Sequence, residues 1–404
     1  QLAVEQSGRR FSSDANPAEW MLHVIGAAPG SHTDIDWFET WRNSPECAAL
    51  HRELDEMAAN LRNTATDDTS LKKSFAAPLW KQTLVVTRRV FEQYWRTPSY
   101  LWSKFALCTI SPLYIGFTFY KSKNDIQGMQ NQLYSVFMFL VVFGTLCQQI
   151  MPHFVTQRSL YEIRERPSKT YSWVAFMLSN IIAELPWQTL VSAIAFFCYY
   201  YPVGYYRNAG DDVHERGAVF FMTVWGFFLF TSTFSHMVVA GIENEHTAGT
   251  MATILFTICL GFCGVLATPE QLPGFWIFMY RISPLTYIVS GLMAAGTADS
   301  PVICSAVEVL QMFPPPNMTC SEYLEPFARV AGGYVTNLTS SPSLCGYCAM
   351  RNTDTYLTTI HSFLKDTWRN FGFIWIYIIF NIVAACCLYW LIRVPKSWNK
   401  KKKL

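Results

Sequence analysis

FGFIWIYIIFNIVAACCLYWLIRVPKSWNKKKKL, Phe371 to Leu404, joins 22 uncharged residues to a tail carrying six basic ones. Crossing about 30 Å of hydrocarbon takes about 20 apolar helical residues. Residues 371–392 therefore read as a transmembrane helix. The positive-inside rule places the basic tail in the cytoplasm. These two readings set the class of the protein and the orientation of its last span, and the rest of the chain has to agree with both.

The composition agrees. Of 404 residues, 51% are hydrophobic and 15% charged, with 16% aromatic; soluble domains carry about 25% charged residues. The net charge of +2 points to no charged partner. No basic run interleaved with aromatics suggests nucleic acid, and neither a secretory leader pattern nor a short repeat is present. Five more stretches qualify as spans: 101–120, 133–155, 173–200, 217–240 and 249–268. A seventh apolar stretch, 275–295, contains Arg281 and the breaker pair Ser283–Pro284. The loop before the last span holds Cys304, Cys320, Cys345 and Cys348, and the glycosylation sequons at Asn317 and Asn337. Sequons and an even cysteine set belong on the oxidising side. Six crossings satisfy both ends, with the N-terminus inside, the long loop outside and the tail inside. The stretch 275–295 is then re-entrant, packed on protein instead of lipid. The loop 157–172, with Arg158, Arg164, Arg166 and Lys169, falls inside.

Four loop cysteines allow three pairings. Cys304–Cys348 with Cys320–Cys345 is the nested one and staples the ends of the loop; a Cys345–Cys348 bridge is its main competitor. Most other cysteines lie in predicted spans and behave as small hydrophobes.

The front of the chain differs in character. Residues 1–77 hold 12 acidic and seven basic residues. In DANPAEWMLHVIGAAPGS, Asp14 to Ser31, Asn16 is a helix cap and Pro17 suits the first helical position. Glu19 complements the helix dipole and Gly26 is a stop. The spacing predicts a short helix over 17–25, an amphipathic helix over 45–62 and a linker over 63–74. Residues 78–97 place Trp80, Leu84, Phe91 and Trp95 near one face, with basic residues elsewhere, as in a helix lying in the membrane interface. The chain thus divides into a soluble front (1–77), an interfacial connecting helix (78–98), five spans with the re-entrant segment (99–296), an external loop (297–369), and the last span with its tail (370–404). The expected fold is an all-α membrane protein.

Few residues carry chemistry. Eight histidines are scattered without paired ligand spacing, and the cluster Glu243, Glu245 and His246 reads as a solvated turn. No nucleophile elbow, catalytic triad or GxxxxGK[ST] phosphate loop occurs. No catalytic residue, no metal site and no cofactor are expected in this chain. Glu184 sits inside a span, before Pro186. An intramembrane carboxylate is either functional or paired, here with a nearby His, Arg or backbone donor. Ser135, Phe139 and Phe143 line up on one helix face, and Thr253, Phe256 and Thr257 on another. Such faces suit an apolar pocket with few polar anchors, or close helix packing.

Several long motifs resemble one family. ANPAEWMLHVIGAAPGSHTDIDWFETWRNSPE (15–46) is similar to the segment following the second nucleotide-binding domain of fungal pleiotropic drug resistance (PDR) ABC transporters of the G subfamily. MPHFVTQRSLYEIRERPSKTYSW (151–173) resembles the family's cytoplasmic link between transmembrane helices two and three. AELPW (183–187), WRTPSY (95–100), the Cys-bearing loop and the basic tail also fit. The resemblance covers 14–404. His23 departs from the family's usual Glu, and residues 1–13 do not match.

The resemblance implies the C-terminal transmembrane half of an exporter, with six helices of ABC exporter type. It implies partners outside this chain: nucleotide-binding domains using ATP and Mg²⁺, and a first transmembrane half. Hydrophobic small molecules would be moved out across the plasma membrane, within the lipid bilayer. Glu165 and Arg166 would transmit motion, the two faces above would line the cavity, and the external loop would be a lid. A non-transporting truncated remnant is one alternative. A secondary transporter is another, but it requires coupling carboxylates inside spans, and only Glu184 offers one.

Overall fold

The structure is a computed structural model that describes residues 16–63, 74–208, 210–316, 318–336 and 344–395, with the backbone alone at 63, 143 and 211. The chain divides after Ser74 into a small front unit and a large one.

The front unit is helical. α1 spans Pro17–Val24, with the Asn16 side chain accepting the Ala18 amide and Gly26 at φ 76° closing it. α2 (Trp37–Arg42) is capped by Asp36, which accepts the amides of Phe38 and Glu39. α3 spans Pro45–Asn63. Its apolar residues Leu50, Leu54, Met57 and Leu61, which recur at helical spacing, are exposed.

The large unit opens with α4 (Leu79–Trp95), which buries Gln82, Val86, Val90 and Tyr94 at four-residue spacing. Five long helices follow: α5 (Pro98–Thr118), α6 (Ile126–Leu160), α7 (Trp173–Val203), α8 (Val213–Gly241) and α9 (Glu245–Gly261). α6 runs on through a π-helical turn, Tyr161–Glu165. α7 ends where Gly204 adopts φ 91°, a left-handed cap that glycine enters without a Cβ penalty.

Every predicted span forms a helix, although the one expected over 249–268 ends at Gly261, and they are unequal. α6, α7, α8 and the last helix are long and apolar enough to cross a membrane. α5 carries Lys104 in its second turn. α9 has 17 residues and rises about 26 Å. The expected break at Ser283 is present: α10 (Ile277–Ile282), entered through a short 3₁₀ turn, and α11 (Pro284–Thr297) meet at 72°. Pro284 has no amide to continue the first helix. α11 packs on α8 and on the last helix, and all but one of its residues are buried. That is the protein-packed environment a non-spanning segment requires. α8 is the central helix, with 67% of its apolar window buried.

The long loop is not wholly irregular. β1 (Leu310–Met312), β2 (Tyr334–Val335) and β3 (Cys345–Cys348) form an antiparallel sheet in the order β1–β3–β2. Between β1 and β2 lies α12 (Cys320–Ala331), started by a Thr319–Glu322 capping box. Strands this short gave no readable alternation in the sequence. α13 (Thr353–Thr359) leads to the last helix, α14 (Thr367–Arg393), whose apolar window is only 22% buried.

Candidate functional site

Three groups of residues could carry function. The first is the outward apolar surface of α6 and α9. Ser135 and Phe139 do not lie on it. Phe139 is fully buried and stacks on Tyr199 at 4.7 Å. The Ser135 hydroxyl hydrogen-bonds the hydroxyls of Tyr199 (2.8 Å) and Tyr205 (3.0 Å). This face packs α6 against α7 and α8. The Phe143 side chain lies outside the described residues. On α9, Phe256 is buried, whereas Thr253 and Thr257 are exposed. The two threonines return their hydroxyls to the carbonyls of Gly249 and Thr253, which satisfies them within the helix.

The outward stripe of α6 is Tyr134, Met138, Val141 and Thr145, about 130° around the helix from the expected face. Met138, Val141 and Thr145 form one wall of a cleft of about 340 Å³; Leu107, Tyr114 and Thr118 of α5 form the other. α9 exposes Met251, Ile254, Leu255 and Ile258. An apolar cleft with a few hydroxyls can hold a hydrophobic molecule while fixing it with few polar contacts. Sequence periodicity picked out the side of α6 that is buried in the bundle, because both sides carry aromatic and small polar residues.

The second group gathers at the junction of α4, α6, α7, α8 and α14. Glu165 forms an ion pair with Arg89 of α4 and accepts from the Tyr171 hydroxyl. Burial pushes the Glu165 carboxyl up, but the bonds from Arg89 and Tyr171 outweigh it and hold the group below its usual range. Arg166 donates to the Arg393 carbonyl at the end of α14 (2.8 Å). Glu162 accepts from the Tyr389 hydroxyl (3.1 Å) and faces Arg393 (3.7 Å). Arg158 donates to the carbonyls of Val239 (2.6 Å), Ile242 (2.8 Å) and Glu243 (2.6 Å), capping the end of α8. One link therefore ties the connecting helix to three spans. Arg89 and Glu162 escaped the sequence reading, and Arg158 entered it only as one of the basic residues of an inside loop; their only signal was a crowd of charges beside long apolar runs. Glu243 and its neighbours form the turn into α9, which Asn244 caps.

The third group surrounds Glu184, which is fully buried. Its partner is Lys104, also fully buried. Neither a His nor an Arg fills the role; the signal was the single lysine inside the first span. The Tyr100 hydroxyl and Gln188 Nε2 also donate to Glu184, each at 3.1 Å. The ring of His153 stacks on Tyr94 at 4.3 Å beside them.

In the long loop, Cys304 is joined to Cys348 and Cys320 to Cys345, the nested arrangement. Asn317 and Asn337 lie outside the described residues. Where the loop leaves α11, Arg216 donates to the carbonyls of Ala298 (2.7 Å) and Asn208 (3.1 Å). A polar pocket of about 400 Å³ opens there, with Asp212, Glu215 and Asp299 on its wall.

Residues 81–296 match the family described as ABC-2 type transporter. ABC multidrug transporter C of Aspergillus fumigatus is 55% identical over 398 residues, 97% of this chain and 26% of its own length. ABC multidrug transporter atrG of Aspergillus oryzae is 54% identical over 394 residues, 96% of this chain and 26% of its own. ABC multidrug transporter AFR2 of Cryptococcus neoformans var. grubii is 50% identical over 402 residues, again 96% and 26%. The chain spans about a quarter of the length of the curated relatives it matches.

Proposed function

The chain belongs to the ABC-2 type transporter family, and from that premise we propose that it is the transmembrane domain of an ATP-driven exporter. The exporter moves hydrophobic drugs, xenobiotics or lipids out across the plasma membrane. The observation that carries this reading is identity of 50–55% to fungal multidrug transporters over almost the whole chain. The outward surface of α6 and α9 supports it, because that surface presents apolar side chains and hydroxyls in the form a greasy substrate would meet.

On this reading residues 1–77 end a nucleotide-binding domain. The first transmembrane half and the rest of the nucleotide-binding domains lie outside this sequence. ATP and Mg²⁺ belong to those domains. The N- and C-termini are cytoplasmic and residues 297–369 form an external lid held by the two disulfides. Glu165 and Arg166 act by joining α4 to the ends of α6 and α14, so that movement of the soluble domains reaches several spans together.

Efflux of a fluorescent hydrophobic dye from pump-deficient yeast expressing the full-length protein tests the proposal. Efflux is expected above a control whose phosphate-loop lysine is replaced. Equal dye retention in the two strains, at equal surface expression, would refute it.

A further inference from the structure

α4 is apolar on two sides, and only one is packed into the bundle. The other side forms a groove of about 950 Å³ against α7. Leu79, Leu84 and Phe91 line the α4 wall; Leu178, Ile182 and Pro186 line the α7 wall. Trp80 and Trp95 stand near its two ends, 70% and 69% exposed. Exposed tryptophans at both ends of an amphipathic helix are the pattern of an element seated at a membrane surface.

The rim of this groove is basic. Arg88 borders it with its side chain 84% exposed. Lys81 is exposed seven residues earlier, close to the same face. The ion pair recorded for Arg88 is with Glu92, one turn away on the same surface at 3.4 Å, and exposed pairs of this kind hold weakly. From Leu79 to Arg96 the cations are Lys81, Arg88, Arg89 and Arg96, against the single acid Glu92. Arg89 is committed to Glu165. The remaining charge stands at the mouth of an apolar trough, which is complementary to a molecule with a long hydrocarbon chain and an anionic head.

We propose that the groove between α4 and α7 binds an anionic phospholipid of the surrounding bilayer. One acyl chain lies between Leu84 and Ile182, and the phosphate-bearing headgroup sits on Arg88 and Lys81. The site rests on the reading that α4 lies at a membrane interface, and not on the transport activity.

Native mass spectrometry of the full-length protein in mild detergent, titrated with phosphatidylserine or phosphatidylcholine, tests the site. The unaltered protein retains phosphatidylserine preferentially. Lys81→Gln with Arg88→Gln weakens that preference by about five-fold per cation removed, whereas Lys81→Arg with Arg88→Lys keeps it. Ile182→Trp fills the groove, leaves the cations in place and lowers retention of the bound lipid. Equal retention of both lipids by the unaltered protein, or selectivity unmoved by the double glutamine variant, would overturn the proposal. So would retention unmoved by Ile182→Trp, or a sterol whose binding falls on Ile182→Trp but ignores the charge changes. Dye efflux by the same preparation in vesicles keeps the two readings apart. Lost efflux with intact lipid selectivity sinks only the transport proposal, and intact efflux without selectivity sinks only this one.

Discussion

Replacing Lys104 by Met leaves Glu184 buried without its counter-charge. Glu184 keeps two donors, the Tyr100 hydroxyl and Gln188 Nε2, and its second oxygen, Oε2, has no partner among the described residues. Two neutral donors do not balance a full charge away from water. The less costly route is for the carboxyl to bind a proton. Measured from an ordinary glutamate at about 4.3, holding it protonated at pH 7 costs about 3.7 kcal/mol. Truncating one partner of a buried pair costs about 3–5 kcal/mol in other proteins, so the two estimates agree. That is a large share of a typical stability of about 5–15 kcal/mol. The single variant Lys104→Met is expected to lower the yield of monodisperse full-length protein and its thermal midpoint in detergent. Lys104→Met combined with Glu184→Gln removes both charges and is expected to recover most of the loss. A double variant as impaired as the single one would refute the reasoning, since it would make side-chain shape, and not the unpaired charge, the cause.

Phe139→Ala is expected to cost about 3–5 kcal/mol by opening a core cavity, visible as lost expression. Met138→Ala, on the exposed side of the same helix, is expected to change the range of dyes exported at normal expression. Glu165→Gln removes the ion pair with Arg89. Because the Arg89 side chain is 42% exposed, the stability change is expected to be about 1 kcal/mol or less, while coupling of ATP turnover to efflux falls. The folded Glu165 carboxyl titrates below its unfolded value of 4.5, so its contribution is full above that value and is lost as pH falls through the lowered one. Thermal midpoints of the two proteins should therefore differ at pH 7 and converge as pH falls through the lowered Glu165 value. Cys320→Ser with Cys345→Ser releases a loop closed over 25 residues. It should destabilise the loop by about 3.5 kcal/mol on the chain-entropy estimate, detected as faster proteolysis of 305–350 in the intact protein.

Long apolar runs were readable because length and lack of charge are local properties. So were the caps at Asn16 and the break at Ser283–Pro284, where one or two residues decide the backbone. Which side of α6 faces inward was not readable. Ser135 with Phe139, and Met138 with Val141, are both plausible inner faces until Tyr199 and Phe227 supply the aromatic partners that select the first pair. Those partners are 60 and 88 residues away, as the numbering shows. The partner of Glu184 was hidden for the same reason, since Lys104 lies 80 residues earlier. The small sheet was invisible because its strands hold two to four residues each.

The same logic explains why the charged end of the bundle matters to the proposed transport. Arg158, Glu162, Glu165 and Arg166 follow one another within eight positions, beginning in the last turn of α6. A continuous α-helix would carry residues seven apart on one face. The π-helical turn at Tyr161–Glu165 breaks that phase, and π-turns recur at functional sites. Arg158 reaches the end of α8 while Glu165 reaches α4 and Arg166 reaches α14. Each bond is modest, and several have an exposed side. In the proposed exporter their effect would come from number and direction: moving α4 would pull on Glu165, whose helix end also holds α8 and α14. A rigid element gripped from three sides transmits displacement without requiring any single strong contact. Softening the π turn, and not only cutting Arg89 from Glu165, is therefore the change that should most weaken coupling.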